Sequence, residues 1–260
     1  DDSGKFKVFK DAALEPTTRI GNYCQINDRT FVLSGSDMVA DNAGRGVEMA
    51  YQEAKKALEL RQSVEIACVG ENNARAAGAG NAGGAPSARV SASVTAWIAT
   101  NTNKEGTGTD PTAEDGSDAR NDGATRAFTE SMLEDVVDQC YTAGANPNMI
   151  MTGVTQKRVI TGTFDGKADE YKAEAMDRRI VNAVDFYESD YGTLAIVPSR
   201  YMRSRDVFLL DTDMWSIDYY RPYFTQDLAK TGDNEKKQML VEWTLRSSNE
   251  AGSGGIFDLS

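Results

Sequence analysis

Several stretches of this chain carry residue types and spacings that could do chemistry. Gly78-Ala79-Gly80-Asn81-Ala82-Gly83 matches the G-x-G-x-x-G pattern that cradles a dinucleotide pyrophosphate. That chemistry needs a strand before the glycines and a helix opening directly from them, so that backbone amides face the phosphates. Here a long helical pattern precedes the glycines and Pro86 stands before the next one, so a flexible loop is the expected structure. Gly162-Thr163-Phe164-Asp165-Gly166-Lys167 is similar to a phosphate loop but one residue short, and it lacks the metal-holding Ser/Thr after Lys. Asp110, Glu114, Asp115, Asp118 and Asp122 supply hard oxygen ligands of the kind calcium takes, without EF-hand spacing. A solvated acidic loop is the expectation there. Asp211 and Asp213 could serve glycoside hydrolysis only if they faced another acid across a cleft of defined width. A strand-end turn is the plainer reading. Trp215, Tyr219, Tyr220, Tyr223 and Phe224 could stack a sugar or base, but core or subunit-contact burial explains such aromatics better. Arg221 beside them is a candidate for pairing across an interface.

Composition closes most enzymatic routes. The 260 residues include no histidine, which removes the commonest general base, zinc ligand and pH switch together. Ser-His-Asp and Cys-His mechanisms are therefore impossible within the chain. Cys24, Cys68 and Cys140 are odd in number and have no C-x-x-C spacing, so neither a disulfide framework nor a zinc site is expected. They read as small buried apolar residues made in a reducing cytoplasm. No residue is assigned a catalytic, cofactor-binding or metal-ligating role, and no cofactor is expected. The net charge of −12 argues against gripping nucleic acid, which needs a positive footprint, although it suits a wall that surrounds DNA without sticking to it. No apolar run approaches the roughly 18 residues of a membrane span. The start Asp1-Asp2-Ser3, without Met, suggests a processed product or part of a longer chain.

The elements that would position these residues fall into two halves. Residues 1–20 are polar and irregular, and Asn22 to Val39 reads as extended with a turn at Ser34-Gly35-Ser36-Asp37. A long helix is expected from Asp41 or Asn42, its apolar stripe running through Val47, Ala50, Tyr51, Ala54 and Leu58 and on through Ala57, Leu60, Val64, Ala67 and Cys68. Gly70 ends it, giving a rod of roughly 37 Å. A second helix is expected over Ala88 to Ala99, and Asn101 to Gly123 has too little apolar content to pack, so a surface or partly mobile loop is expected. A third helix carries Phe128, Met132, Leu133, Val136, Val137, Cys140 and Tyr141 on one face, with Thr125 as a candidate cap and Gly144 past its end. Strands are then expected at Met149-Ile150-Met151, Ile180 to Tyr187, Thr193 to Val197, Val207 to Leu210, Trp215 to Tyr220 and around Val241, Trp243 and Leu245. Helices first and strands later, without regular alternation, give an α+β class.

Several of these stretches together resemble one family. Gly21-Asn22-Tyr23-Cys24-Gln25-Ile26, Val32-Leu33-Ser34-Gly35-Ser36, the helix at Ala50 to Leu60 and Ala96 to Thr102 come first. Arg126 to Glu130, Ser189 to Tyr201, Leu228 to Asp233, Lys236 to Leu245 and Asn249 to Gly252 follow in order. In order and spacing the chain resembles the tailed-bacteriophage major capsid proteins of the Hong Kong phage-type capsid fold, which encapsulins share. The resemblance implies an extended loop, a long spine helix, a peripheral domain and an axial domain. It divides the chain into an arm or loop-return segment at 1–40, a peripheral domain at 41–125, an axial domain at 126–222 and a return to the peripheral domain at 223–260. It also implies self-assembly into pentamers and hexamers of an icosahedral head around double-stranded DNA, with portal and decoration proteins as further partners. The virion is the implied location, with assembly in the host cytoplasm. Family members carry an N-terminal stretch ahead of this point, so arm contacts stay open. An encapsulin-like shell, marked by a cargo-peptide groove, is the nearest alternative, and a carboxylate-based glycan hydrolase the more distant one.

Overall fold

The computed structural model describes residues 20–40, 44, 46–79, 87–164 and 186–260. Two sheets organise them. Strand β1 (Gln25–Ser34), β7 (Trp215–Leu228) and β8 (Asn234–Ser247) form an antiparallel sheet in the order β1-β8-β7. The second sheet has six strands in the order β2-β9-β6-β3-β5-β4, namely β2 (Asn101–Asn103), β3 (Met149–Thr152), β4 (Phe186–Ser189), β5 (Gly192–Pro198), β6 (Val207–Leu210) and β9 (Gly254–Ile256). Its β2/β9 and β3/β5 pairs are parallel and the rest antiparallel. The α+β expectation is met.

The six-stranded sheet is covered on both faces, and the period of two in β6 shows how. Val207 and Leu209 point into one apolar cluster with helix α4 (Glu130–Thr142) and α5 (Val154–Thr163). Phe208 and Leu210 point into the other, which contains helix α2 (Glu48–Glu65), the segment 92–98 and the first sheet. All four β6 side chains are buried, which is why the strand reads as an unbroken apolar run. The sheet is thus a wall shared by two cores.

Helix α2 is the longest among the described residues, and a π-turn at Ile66–Gly70 extends it. It starts at Glu48, later than expected, and the expected start at Asp41 or Asn42 lies outside the described residues. Gly70 ends the run for a packing reason: a Cβ there would collide with the carbonyl oxygen of Tyr201. Only part of its expected stripe faces inward. Met49, Leu60, Val64, Ala67 and Cys68 are buried, whereas Val47, Ala50, Tyr51, Ala54 and Leu58 are exposed.

Other expectations are corrected. Of Ala88 to Ala99 only α3 (Val94–Trp97) is helical, because Ala76 and Val90 pair as an antiparallel bridge and hold 87–93 extended. Helix α4 begins after Thr129, not at Thr125. It ends in a Schellman turn at Gly144 (φ +83°), where the amides of Gly144 and Ala145 donate to the carbonyls of Tyr141 (3.0 Å) and Cys140 (2.9 Å). Helix α5 was not expected, because its β-branched residues favour strands, and tertiary packing of Gln156 and Ile160 overrides that preference. Ser34 to Asp37 opens a short capped helix, α1 (Gly35–Val39), in which the Ser34 hydroxyl accepts from the Asp37 amide at 3.2 Å. Strand β7 runs eight residues further than the expected Trp215 to Tyr220. Of the expected Ile180 to Tyr187 strand, 180–185 lie outside the described residues, and the rest falls in β4.

Strand β9 fits only because it is nearly side-chain-free. A Cβ at Gly254 would stand 2.6 Å from Val136 Cγ1 and 2.8 Å from the Asn101 carbonyl. Gly254→Ala is expected to destabilise the fold by about 1–3 kcal/mol through overpacking, measured as a lowered urea midpoint with an unchanged slope.

Candidate functional site

Among the described residues, the chemistry-bearing stretches do not come together as a catalytic centre. Gly78 (φ +75°) precedes Ala79, which is bonded both ways to Ser87, and 87–93 runs extended, so no helix opens from the glycines among the described residues. Residues 80–83 lie outside the described residues, as do 165–167 of the second glycine motif, whose first residues close helix α5. Asp211 and Asp213 share one short turn, where the Asp211 carboxylate accepts from the Asp213 amide at 3.2 Å, so they cannot face each other across a cleft. A cavity of about 280 Å³ is lined by Tyr141, Tyr191, Val137, Leu194 and Asn148 among others, with no acid in its lining. Among the described residues no cluster of carboxylates or cysteines has metal-holding geometry.

The acidic loop proves to be an ordered ionic structure. Residues 101–126 have little regular secondary structure, yet four of the five acids expected to be solvated have a partner. Asp115 pairs with Arg75 at 2.5 Å, and Asp118 accepts from the Thr112 amide and hydroxyl at 3.2 and 2.7 Å. Asp110 holds Lys104 and, at 2.5 Å, Arg120. Glu114 alone of the five has no resolved contact to explain its place. The surface loop expected from composition is present, and most of its charges are paired, because sequence composition counts apolar side chains and is blind to pairing between charges.

Arg120 is the centre of this arrangement. Its side chain has no exposed surface, and the guanidinium lies 3.3 Å from the ring centroid of Phe257. Burial pulls its pKa down, and Asp110, Asp206 and Asp258 act against that pull. Beside it, Asp122 pairs with Arg203 and, at 3.5 Å, with Arg205. Asp258 is fully buried in a left-handed conformation (φ +63°) and accepts from Gly123 N (2.7 Å) and Arg205 (2.9 Å). Asp206 is also fully buried. Arg203 Nη1 stands 3.3 Å away, but neither of its carboxylate oxygens accepts a hydrogen bond among the described residues. Burial pushes its pKa up to about 7, with Asp122 adding to the rise and Arg203, Arg120 and Arg205 opposing it. Together these pairs join the 101–126 loop, the 203–206 turn and the C-terminal segment.

A second charged site lies in the aromatic hairpin. Glu242 is 3% exposed and is gripped from both sides, by Arg89 Nη2 at 2.6 Å and Arg221 Nε at 2.7 Å. Burial raises the Glu242 pKa, and the hydrogen bonds from Arg221 and Arg89 outweigh it, so the net shift is downward. Arg221 was a candidate for pairing across an interface, and its carboxylate partner lies in the same chain. Two register shifts place it there, between Tyr219 and Arg221 and between Arg221 and Phe224. With Pro222 between them, these bulges twist a strand that lies at a sheet edge. The aromatics divide: Trp215 donates Nε1–H to Ser253 at 2.8 Å and Tyr223 is half-buried, whereas Tyr219 and Tyr220 are exposed. The only sequence signal for Glu242 was one acid inside the apolar run Leu240 to Leu245. Arg120 and Asp206 gave none.

Asp206 binds its proton more tightly in the fold than its usual value of 3.8. Its contribution is therefore fullest below that value, is lost as pH rises to about 7, and is level above. Among the described residues the depressed carboxylates, Glu242 among them, act below 4.5, and Asp206 is the carboxyl raised across the interval from 4.5 to 7. Parent stability should fall with pH across that interval, and Asp206→Asn should flatten the fall, as read from urea midpoints at stepped pH.

Comparison with known proteins gives this architecture a family. The family model described as SU10 major capsid protein matches residues 7–260. A major capsid protein of Escherichia phage Phieco32 is 24% identical, over 95% of this chain and 78% of the relative. Among solved structures, the Cyanophage A-1(L) capsid asymmetric unit superposes with a TM-score of 0.59 at 11% identity, covering 98% of this chain and 85% of the other. A Gordonia phage Cozz chain superposes with a TM-score of 0.57 at 12% identity, covering 96% and 79%. The SrpI encapsulin of Synechococcus elongatus does so at 0.52 and 6%, covering 91% and 74%. The two sheets, the spine-like helix α2 and the shared wall are thus the Hong Kong phage-type capsid fold, and the chain belongs to the SU10 major capsid protein family.

Proposed function

We propose that this chain is the repeating subunit of an icosahedral phage head, forming pentamers and hexamers that close around double-stranded DNA. The family match over residues 7–260 carries the reading. Heterologous contacts between identical subunits close into rings, and rings into a shell, without any reactive group. The charges found in the chain suit that role. Of the acids that might have done chemistry, Asp110, Asp115 and Asp122 are committed to internal ion pairs, and the net charge of −12 disfavours adhesion to DNA.

In this reading the core with β1, β7, β8 and α2 is the peripheral domain, and the core under α4 and α5 is the axial domain. The division at 126–222 and 223–260 is then better drawn otherwise. Residues 215–222 pair along β8 and go with the first core, whereas Ile256 and Leu259 go with the second. Portal and decoration proteins are further partners, the virion is the location, and assembly takes place in the host cytoplasm. The encapsulin superposition speaks for a common fold and carries no cargo function to this chain.

Purified chain under near-native conditions should form closed particles of uniform size in negative-stain electron microscopy. Monomers or dimers alone, at all concentrations and salts, would contradict the proposal.

A further inference from the structure

Arg203 stands between two acids of very different exposure. Its Nη2 donates to the carboxylate of Asp122, a side chain 31% exposed. Its Nη1 lies 3.3 Å from the carboxylate of Asp206, which is fully buried. The second contact is close without being a hydrogen bond. Among the described residues that Nη1 has no acceptor and neither Asp206 oxygen has a donor. A buried donor and a buried acceptor left unpaired are each costly, and a small turn of the guanidinium would join them. The grip on Asp122 holds the fork away from that position, because the two Nη atoms of one planar group move together.

The proton on Asp206 decides between the two acids. With Asp206 uncharged, Arg120, Arg203 and Arg205 face Asp110, Asp122 and Asp258. Ionised, Asp206 is a fourth carboxylate in a dry place, where its attraction for Nη1 is poorly screened. Burial holds its pKa at about 7, with Arg203 pulling down and Asp122 pushing up, so both partners in the fork also set its proton affinity. Arg120 from the 101–126 loop and Arg205 from the same turn pull down as well. Asp110, itself paired with Lys104, and Asp258 meet those two arginines. From β3 and α5 the neighbours of the turn are Thr152, opposite Val207, and Gln156, which donates to the Ser204 carbonyl, and neither titrates.

We propose that Arg203 is a two-position latch, which holds Asp122 while Asp206 keeps its proton and turns Nη1 onto Asp206 when that proton passes to water. Asp122 is then left with Arg205, at 3.5 Å, and the segment around it loosens without detaching. The Asp122-held form binds the Asp206 proton more tightly than the turned form. It therefore prevails at low pH, gives way as pH rises towards about 7, and the balance is level above.

The test is native-state hydrogen exchange on the full chain at stepped pH and low urea, corrected for the intrinsic rate of each amide. Rates that do not depend on urea report local opening, and those that do report unfolding. The reporters are the amides of Asn121 and Gly123, which donate to the Thr109 carbonyl at 3.0 Å and to Asp258 at 2.7 Å. In the parent their urea-independent protection should fall roughly three- to tenfold from about pH 5 to about pH 7.5, the scale of one lost hydrogen bond. Asp206→Asn should stay at the parent's low-pH value throughout, and Asp122→Asn at its high-pH value. Protection that is level with pH in the parent would overturn the latch. So would an unchanged fall in Asp122→Asn, or a change confined to the urea-dependent rates, which is the unfolding effect of a buried acid alone. Should Asp206→Asn fail to fold, the parent and Asp122→Asn decide the matter between them.

Discussion

A guanidinium without exposed surface holds the rest of this structure in place. Arg120 is pressed against Phe257 and paired with Asp110, and next to it Asp122, Arg203, Arg205 and Asp258 form a connected set. The set ties the 101–126 loop to the turn before β6 and to the segment after β9. Strand β9 lies between β2 and β6 in the wide sheet, so its position depends on how the chain end is anchored. Removing one partner would leave the other charge buried, at a cost of roughly 3–5 kcal/mol, whereas a matched apolar replacement of the whole set could be neutral. The set therefore specifies one arrangement of three distant segments more than it adds net stability.

That anchoring gives the wide sheet its two cores. Alternate residues of β6 feed opposite sides, so helices α4 and α5 and the α2 lobe are registered against each other through one strand. A subunit repeated many times in a closed shell needs such internal registration, because angular error in one copy is carried into each neighbour. The double grip on Glu242 acts the same way in the long hairpin. Arg89 comes from the 87–93 segment and Arg221 from the bulged edge strand, and both close on one acid of the central strand β8.

Much of this was legible in the sequence where periodicity carried the signal. Helix α4 and the strand at Val207 to Leu210 follow from apolar spacing. The missed elements share a physical cause, in that their stability comes from partners far away in the chain. Helix α5 contradicts its own β-branched residues, and the acidic loop is ordered by arginines at 75, 203 and 205. The α2 stripe was visible, but its division into an inward and an outward line was not, because both lines are apolar. Among the candidate sites, the first glycine motif lacked its strand context and the second its length and its Ser/Thr, both legible in the sequence, whereas the pairing of Arg221 with Glu242 needed two bulges that no local pattern announces.

Buried charges in this chain serve geometry, holding one subunit arrangement that can repeat around a shell. The direct measurement is a cryo-electron microscopy reconstruction of assembled particles at side-chain detail. Copies in five-fold and six-fold environments should superpose over the six-stranded sheet, with Arg120 on Phe257 and Glu242 between Arg89 and Arg221 in each. Copies whose ion pairs exchange between environments, or particles lacking closed symmetry, would contradict it.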